Sequence, residues 1–288
     1  MKYCLLLLSV LVFGGCGGKS ESIGTESVSP YYREFGLASS AKRAMVKTYE
    51  ATSRFGDIVK GDITGDCYLV EFDVVASIAT CTKFYSGGYV SEIQRFTYDG
   101  NNLVELLVLD NNGEPGYCQV LNYDGDICTS IITTNYWVSD DTPRVEICEY
   151  NRDGELATGY VVKSEDGTVL SRGVYNYPEK SVEEVVTYSA SGEELGREIS
   201  HFNDAGRITK MITNDKHCEI EYNDRNLPIR FVNVEPYRNT SFAISSEDEK
   251  MLYFAEYKYD ARGNWTTQII YKGDIKLPYR ISEREITY

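Results

Sequence analysis

The side chains best suited to acid–base catalysis are scarce in this sequence. There are two histidines, His201 and His217, and each lies in a predicted strand close to a turn. A Ser-His-Asp or Cys-His site needs a histidine that a third group orients. The sequence also has neither a GxSxG nucleophile elbow nor an HExxH metal motif. We therefore predict that the protein is not an enzyme and that it uses no metal and no cofactor.

Carboxylates, in contrast, are abundant, with 44 Asp and Glu residues in the chain. A glycosidase would need two of them about 5 to 9.5 Å apart. The adjacent pairs Glu183-Glu184 and Glu193-Glu194 do not indicate such a site, because neighbours on a strand point to opposite faces of the sheet. The stretches Asp110–Glu114 and Asp124–Asp126 lack the ligand spacing of an EF-type calcium loop, and we interpret them as turns.

Tyrosine is the residue whose repetition is most informative. A tyrosine comes just before six of the predicted turns, at Tyr98, Tyr123, Tyr150, Tyr188, Tyr222 and Tyr259. Aromatic residues at this position can bury against the neighbouring hairpin. Alternatively, they could form an exposed strip that stacks on sugar rings or on a partner protein. We favour the packing interpretation and retain these six tyrosines as candidate binding residues.

The turns define the elements that carry these residues. Clusters of Asn, Asp and Gly tolerate the positive φ of hairpin turns, and they recur about every 10 to 15 residues between residues 99 and 226. This spacing leaves room for strand, turn and strand, but not for a helix of ordinary length. We therefore predict an all-β domain. It is an antiparallel β-meander of sequential hairpins, which forms a long twisted or curled sheet.

Two regions interrupt this rhythm. Residues 39–53 fit either a helix capped by Ser39 or Ser40, or an opening strand with Met45, Lys47 and Tyr49 on one face. We favour the strand. Residues 235–250 are polar, and we predict that they form a solvated loop between strands.

The cysteines leave the disulfide pattern open. Six lie beyond residue 16, and none has a CxxC or other metal-binding spacing. If Asp124-Gly125 is a two-residue hairpin turn, then Tyr123 faces Asp126. Cys118 and Cys128 are then offset by three residues and point to opposite faces of the sheet. A disulfide requires Cα atoms within about 7 Å, so we predict that these two cysteines are not bonded to each other.

The N-terminus predicts export. Lys2 is followed by an apolar run from Tyr3 to Phe13, and then by Gly14-Gly15-Cys16. These are the three parts of a secretory signal, and the apolar run is shorter than the ~20 residues that span a membrane. The segment resembles the lipobox of bacterial lipoproteins, with Phe13 where Leu is usual. The resemblance implies a signal peptide at residues 1–15 and a lipid on Cys16 that anchors the protein to a membrane of the cell envelope.

The rest of the chain divides into a tether and a domain. Residues 16–30 carry the lipidated cysteine and lack an apolar pattern, so we predict a flexible tether. Residues 31–288 form the β-hairpin repeat domain. The formal net charge of the chain is -15, and a polyanion of this size repels the phosphates of nucleic acids. We therefore predict no nucleic-acid partner.

Two turn segments resemble a known repeat. His201–Thr209 (HFNDAGRIT) and Tyr257–Thr266 (YKYDARGNWT) are similar to the YD, or Rhs-type, repeat, in which Y-x-Y-D precedes two residues, G-[RN] and an apolar residue. Together with the lipobox, they resemble small YD-repeat lipoproteins of Bacteroidota-type bacteria. This implies sequential antiparallel hairpins and a place at the outer membrane, on either its periplasmic or its surface side. Our leading hypothesis is an envelope-anchored structural or protein-interaction module, and the alternative is a glycan-binding surface lipoprotein.

Overall fold

The structure of the protein is a computed structural model. It describes residue 32 and residues 35–38, 40–138, 142–214, 216–235, 243–244, 251–273 and 275–288. The predicted signal peptide, Cys16, the tether and most of the predicted loop at 235–250 lie outside these residues. Within the described part, no helix is long and apolar enough to cross a membrane.

The described residues form 21 β-strands. In chain order these are β1 (Arg43–Arg54), β2 (Asp57–Ile63), β3 (Cys67–Asp73), β4 (Ile78–Phe84), β5 (Val90–Asp99), β6 (Asn102–Leu109), β7 (Pro115–Asp124), β8 (Ile127–Asn135), β9 (Arg144–Asp153), β10 (Leu156–Ser164), β11 (Val169–Glu179), β12 (Val182–Ser189), β13 (Glu194–Phe202), β14 (Ile208–Thr213), β15 (Lys216–Tyr222), β16 (Pro228–Val232), β17 (Val234–Glu235), β18 (Ala243–Ile244), β19 (Leu252–Tyr259), β20 (Trp265–Lys272) and β21 (Leu277–Thr287).

The prediction of an all-β, antiparallel run of hairpins is confirmed. From β3 to β16, each strand pairs antiparallel with the next strand along the chain. The favoured interpretation of residues 39–53 is also confirmed, because Arg43–Arg54 form β1. Among the residues that the structure describes, the short β17 and β18 pair with each other in a separate two-stranded sheet.

The prediction of an open or curled sheet is wrong, because 18 of the 19 strands of the sheet close into a barrel and β2 lies outside this ring. The first strand, β1, pairs with the last, β21, from Arg43↔Thr287 to Glu50↔Arg280. The other edge of β1 pairs with β3 near its start and with β2 near its end. The spacing of turn residues predicts each hairpin separately. Closure of the sheet, in contrast, depends on pairing between residues more than 200 positions apart, which a local sequence pattern cannot predict.

Asx turns join many of these hairpins. Asn203, Asn223 and Asp260 each accept two main-chain N–H groups through their Oδ1 atom, from the residues two and four positions later. The side chain thereby satisfies donors that a tight turn leaves without a strand partner. Gly206 and Gly263 follow in the left-handed region, with φ of 71° and 83°, which glycine adopts without steric cost.

The two faces of the barrel wall differ in composition. Inward-facing side chains build two apolar clusters, the larger one around Val70, Phe72 and Phe96 and the smaller around Ile220, Phe231 and Tyr253. The outward face, which we call the outer wall, carries ion pairs between strands. They include Lys163–Glu149, Arg197–Glu184, Lys210–Glu219 and Arg230–Glu221. Each adds little stability, but together they give this face of the sheet a polar character.

The predicted register of the hairpin that contains Cys118 and Cys128 is wrong. Asp124 pairs with Ile127, so the turn residues are Gly125 and Asp126, and a bulge follows between Asn122 and Tyr123. Cys118 faces Thr134, whereas Cys128 faces Tyr123. The two cysteines are therefore farther apart than predicted, and they still point to opposite faces. All six cysteines of the described residues are free thiols.

Candidate functional site

One end of the barrel is defined by a set of hairpin turns, at residues 99–102, 124–127, 153–156, 202–208, 222–228 and 259–265. We call it the tyrosine end. Here successive hairpins separate from one another. Pairing between β6 and β7 stops at Glu105↔Val120, and pairing between β14 and β15 stops at Lys210↔Glu219. The strands beyond these rungs diverge toward their turns.

Side chains bridge the gaps between the hairpins. In four gaps a tyrosine hydroxyl donates to a main-chain carbonyl of the preceding hairpin, at 2.9 Å in each case: Tyr123 to Leu103, Tyr177 to Ala157, Tyr222 to Ile208 and Tyr257 to Pro228. In a fifth gap, Arg152 donates to the carbonyl of Cys128 through Nε and Nη2. Tyrosine thus replaces the main-chain hydrogen bonds that the diverging strands no longer make.

Five of the six sequence-predicted tyrosines lie at or near this end. Tyr98 is buried, and Tyr123, Tyr150, Tyr222 and Tyr259 are half-buried. Burial raises the pKa of Tyr222 to about 12. Tyr259 accepts a hydrogen bond from Asn223, and Arg225 lies over its ring, 4.2 Å from the centroid.

Tyr188 is not brought together with the others. It closes β12 at the opposite end of the barrel, on the outer wall. Sequence reasoning also missed Tyr177 and Tyr257, although both belong to a Tyr-x-Tyr pair that could have marked them.

Two grooves open on the outer wall where hairpins diverge. The first, of about 580 Å³, lies between the β5–β6 and β7–β8 hairpins, and the second, of about 500 Å³, lies between β14 and β15. They occupy equivalent positions, because each lies beside a bridging tyrosine, Tyr123 in the first and Tyr222 in the second. Sequence reasoning did not find these grooves, since the divergence of the strands depends on sheet curvature.

An N-terminal segment, Tyr32 with residues 35–38, packs on the inner face at the tyrosine end. We call it the strap. The Phe35 ring contacts Phe72 and Phe96 edge-on, with centroids 5.6 and 5.3 Å apart. Arg284 donates to the carbonyls of Phe35 and Gly36 at 2.9 and 3.0 Å, and the amide of Ala38 donates to Oδ1 of Asn264 at 2.7 Å.

Arg284 is a buried cation, with 5% of its surface exposed. Its guanidinium lies 3.6 Å from the centroid of the Trp265 ring, which stabilises a desolvated cation. Burial lowers the pKa of Arg284, and among the described residues its Nε atom has no hydrogen-bond partner. Arg284 lies on the last strand, β21, and the strap precedes the first strand, β1. These hydrogen bonds therefore hold the strap against β21.

The end of the barrel opposite the tyrosine end, which we call the opposite rim, carries the other set of hairpin turns and exposes large apolar side chains. They are Phe55, Tyr85, Tyr89, Tyr136, Trp137, Ile275 and Leu277. Phe55 is fully exposed at the tip of the β1–β2 hairpin, and its φ of 54° lies in the left-handed region. The two-residue turn Phe55-Gly56 favours Asn at its first position, so neither burial nor turn geometry explains a phenylalanine here.

The acidic residues follow the predicted alternation. Glu184 points outward and pairs with Arg197, whereas Glu183 points inward, near Glu198. Burial raises the pKa of both Glu183 and Glu198, and the charge of Glu198 adds to the effect on Glu183. Within the described ranges, no group of three or more His, Cys, Asp or Glu residues could hold a metal ion.

The two histidines lie on the outer wall. His201 is half-buried, and His217 is exposed, with Nε2 3.4 Å from Nδ2 of Asn233.

No protein-family model matches the chain, and no sequence of a characterised protein matches it. Solved structures show only weak likenesses to it. A porin-like protein from Bacteroides uniformis ATCC 8492 is 10% identical, with a TM-score of 0.32 over 85% of this chain and 97% of that one. A porin-like protein from Bacteroides vulgatus ATCC 8482 is 10% identical, with a TM-score of 0.30 over 84% and 97%.

A DUF1329 family protein from Desulfovibrio piger ATCC 29098 is 9% identical, with a TM-score of 0.16 over 91% of this chain and 94% of that one. At these TM-scores the likeness carries no argument. Closure of the barrel rests on the pairing of β1 with β21.

Proposed function

We propose that the protein is a lipid-anchored β-barrel of the bacterial cell envelope that binds a partner protein at its opposite rim and performs no catalysis. The observation that carries this proposal is the set of exposed apolar side chains on that rim. Aromatic residues are enriched at the energetic centres of protein interfaces. A fully exposed Phe55 in a left-handed conformation costs about 1 to 3 kcal/mol, which a binding role would explain.

The composition of the outer wall supports a barrel that stands in water beside the membrane. Charged side chains that face lipid are costly near the middle of a bilayer. Here Glu149, Lys210 and Glu219 face outward near the middle of their strands. Glu149 forms an ion pair with Lys163, and Lys210 forms one with Glu219. The lipid predicted on Cys16, rather than the barrel wall, is thus the proposed membrane contact.

The position of the strap supports a particular orientation of the barrel relative to the membrane. It enters at the tyrosine end, and 15 residues separate Cys16 from Tyr32. A flexible tether of this length has an average end-to-end distance of about 20 Å. We infer that the tyrosine end faces the anchoring membrane and that the opposite rim faces away from it, toward the partner.

We also propose that the resemblance to YD repeats reflects a shared type of turn, and the hydrogen bonds within two turns support this. Asn203 and Asp260 occupy the Asp position of the two quoted segments, and both form the same Asx turn.

Site-specific photocrosslinking in the native envelope tests the proposal. A photoreactive benzoylphenylalanine in place of Phe55 or Tyr89 should form one defined adduct, which mass spectrometry identifies. The same amino acid in place of Glu71, on the outer wall of β3, should not form it. Equal adducts from all three positions, or none from the rim, would contradict a rim-bound partner.

The anchor is tested separately. Cys16→Ser should abolish acyl labelling and release the protein from the membrane fraction. Persistent labelling would refute lipidation while leaving the rim experiment interpretable.

A further inference from the structure

The groove between the β5–β6 and β7–β8 hairpins has the composition of a ligand site. It is an open groove of about 580 Å³ on the outer wall. Pairing between β6 and β7 ends at Glu105↔Val120, so the main chains of both strands border the groove where they diverge. Tyr123 closes its inner side through the hydrogen bond to Leu103.

Polar and apolar groups alternate along this groove. Thr97, Asp99, Glu105 and Asn122 supply hydroxyl, carboxylate and amide groups, and Val104 and Val120 supply apolar surface. Thr97 donates to Glu105 Oε2 at 3.3 Å, and Asn122 Nδ2 donates to Ser130 at 2.9 Å. These contacts fix the orientation of the side chains before a ligand arrives.

The charge of the groove selects the class of ligand. Its lining includes two carboxylates, Asp99 and Glu105, and no Lys or Arg. It therefore repels phosphates and acidic sugars. A neutral sugar presents hydroxyl donors to carboxylates and amides along its edge, and its C–H face packs on apolar side chains.

The second groove has the same backbone geometry but different side chains. Lys210 takes the place of Glu105, Glu219 that of Val120 and Glu221 that of Asn122, when the two are aligned on Tyr123 and Tyr222. The Lys210–Glu219 pair, 3.9 Å apart, crosses it, and Glu221 pairs with Arg230. The second groove is therefore an internal control, because it has the equivalent position but a lysine in place of Glu105 and ion-paired carboxylates in place of Val120 and Asn122.

We propose that the groove bounded by Thr97, Asp99, Glu105 and Asn122 binds a short, neutral, hydroxyl-rich oligosaccharide. The carboxylates and the amide accept and donate hydrogen bonds to its hydroxyls, and Val104 and Val120 contact a ring face. This site is separate from the opposite rim and does not rest on the proposed protein partner.

Isothermal titration of the detergent-solubilised full chain tests this site. The probes are maltohexaose, cellohexaose and N-acetylchitohexaose, with hexagalacturonate as the anionic control. At least one neutral sugar should bind with a stoichiometry of one. Glu105→Gln and Asn122→Ala should each weaken that binding by about tenfold, whereas Thr209→Ala and Glu221→Gln in the second groove should not change it.

Circular dichroism and thermal unfolding should be unchanged in all four variants, which separates a lost contact from a lost fold. Three outcomes would overturn the proposal: no binding of any neutral hexasaccharide at millimolar concentration, binding that survives both first-groove variants, or tighter binding of hexagalacturonate.

Discussion

The hydroxyl of Tyr222 donates a hydrogen bond to the main-chain carbonyl of Ile208, 2.9 Å away, across a gap where β14 and β15 have separated. Tyr222→Phe removes this donor and leaves the ring in place. A half-buried carbonyl that loses its partner costs about 1 kcal/mol, so urea unfolding should show a loss of that size.

Tyr188→Phe is the matched control, since Tyr188 lies on the outer wall away from the gaps. An equal loss in the two variants would contradict the bridging role of Tyr222.

The strap is the second element that can be tested. Arg284→Lys keeps a buried charge but cannot donate to the carbonyls of Phe35 and Gly36 with the same fork geometry. We expect a loss of stability of about 2 kcal/mol and faster hydrogen exchange at the amides of Leu37 and Ala38. Arg230→Lys, in an exposed ion pair, should leave both unchanged. Unaltered exchange in Arg284→Lys would show that this side chain does not hold the strap.

The inward carboxyls Glu183 and Glu198 predict a pH dependence. Because burial raises both pKa values, the folded state favours the protonated form. Their contribution to stability is fully present below the unfolded pKa of about 4.3 and is lost as pH rises through the folded pKa values. The double variant Glu183→Gln/Glu198→Gln should therefore gain stability relative to the native chain at pH 7.5 and little at pH 4.

Urea unfolding at the two pH values measures this difference, with Glu71→Gln as the exposed control. A difference between variant and native chain that does not grow with pH would show that the two carboxyls are not destabilised by burial.

The cysteines give a fourth prediction. Non-reducing peptide mapping should find no link between Cys118 and Cys128, because they face Thr134 and Tyr123 on opposite faces of the sheet. Burial raises the pKa of Cys148 to about 12, so its thiol should react with iodoacetamide at pH 8 only after unfolding. A Cys118–Cys128 peptide would mean that the register of β7 and β8 is shifted.

Much of the local structure could be predicted from the sequence, because hairpins depend on neighbouring residues. The Asn and Asp positions, such as Asn203 and Asp260, predict turns, and β1 follows from the alternation of Met45, Lys47 and Tyr49. The predicted register of β7 and β8 was wrong, because a bulge between Asn122 and Tyr123 shifts the pairing. The amino-acid composition of the two strands does not predict such a bulge.

Features that depend on distant contacts could not be predicted. The pairing of Arg43 with Thr287, the burial of Arg284 under the strap and the equivalence of the two grooves all require the closed sheet. The six tyrosines were identified by their position before a turn, but position alone could not separate Tyr188, at the other end of the barrel, from the tyrosines near the gaps.

The strap, the grooves and the opposite rim all depend on closure of the barrel. Lys47 on β1 lies directly opposite Glu283 on β21, so the double variant Lys47→Cys/Glu283→Cys should form a disulfide under mild oxidation of the folded protein. Lys47→Cys/Glu219→Cys, with the second cysteine on the outer wall of β15, should not. The result we predict is a disulfide that joins the two introduced cysteines of the first variant, identified by peptide mapping. Equal or absent cross-linking in the two variants would show that the ends of the sheet do not meet.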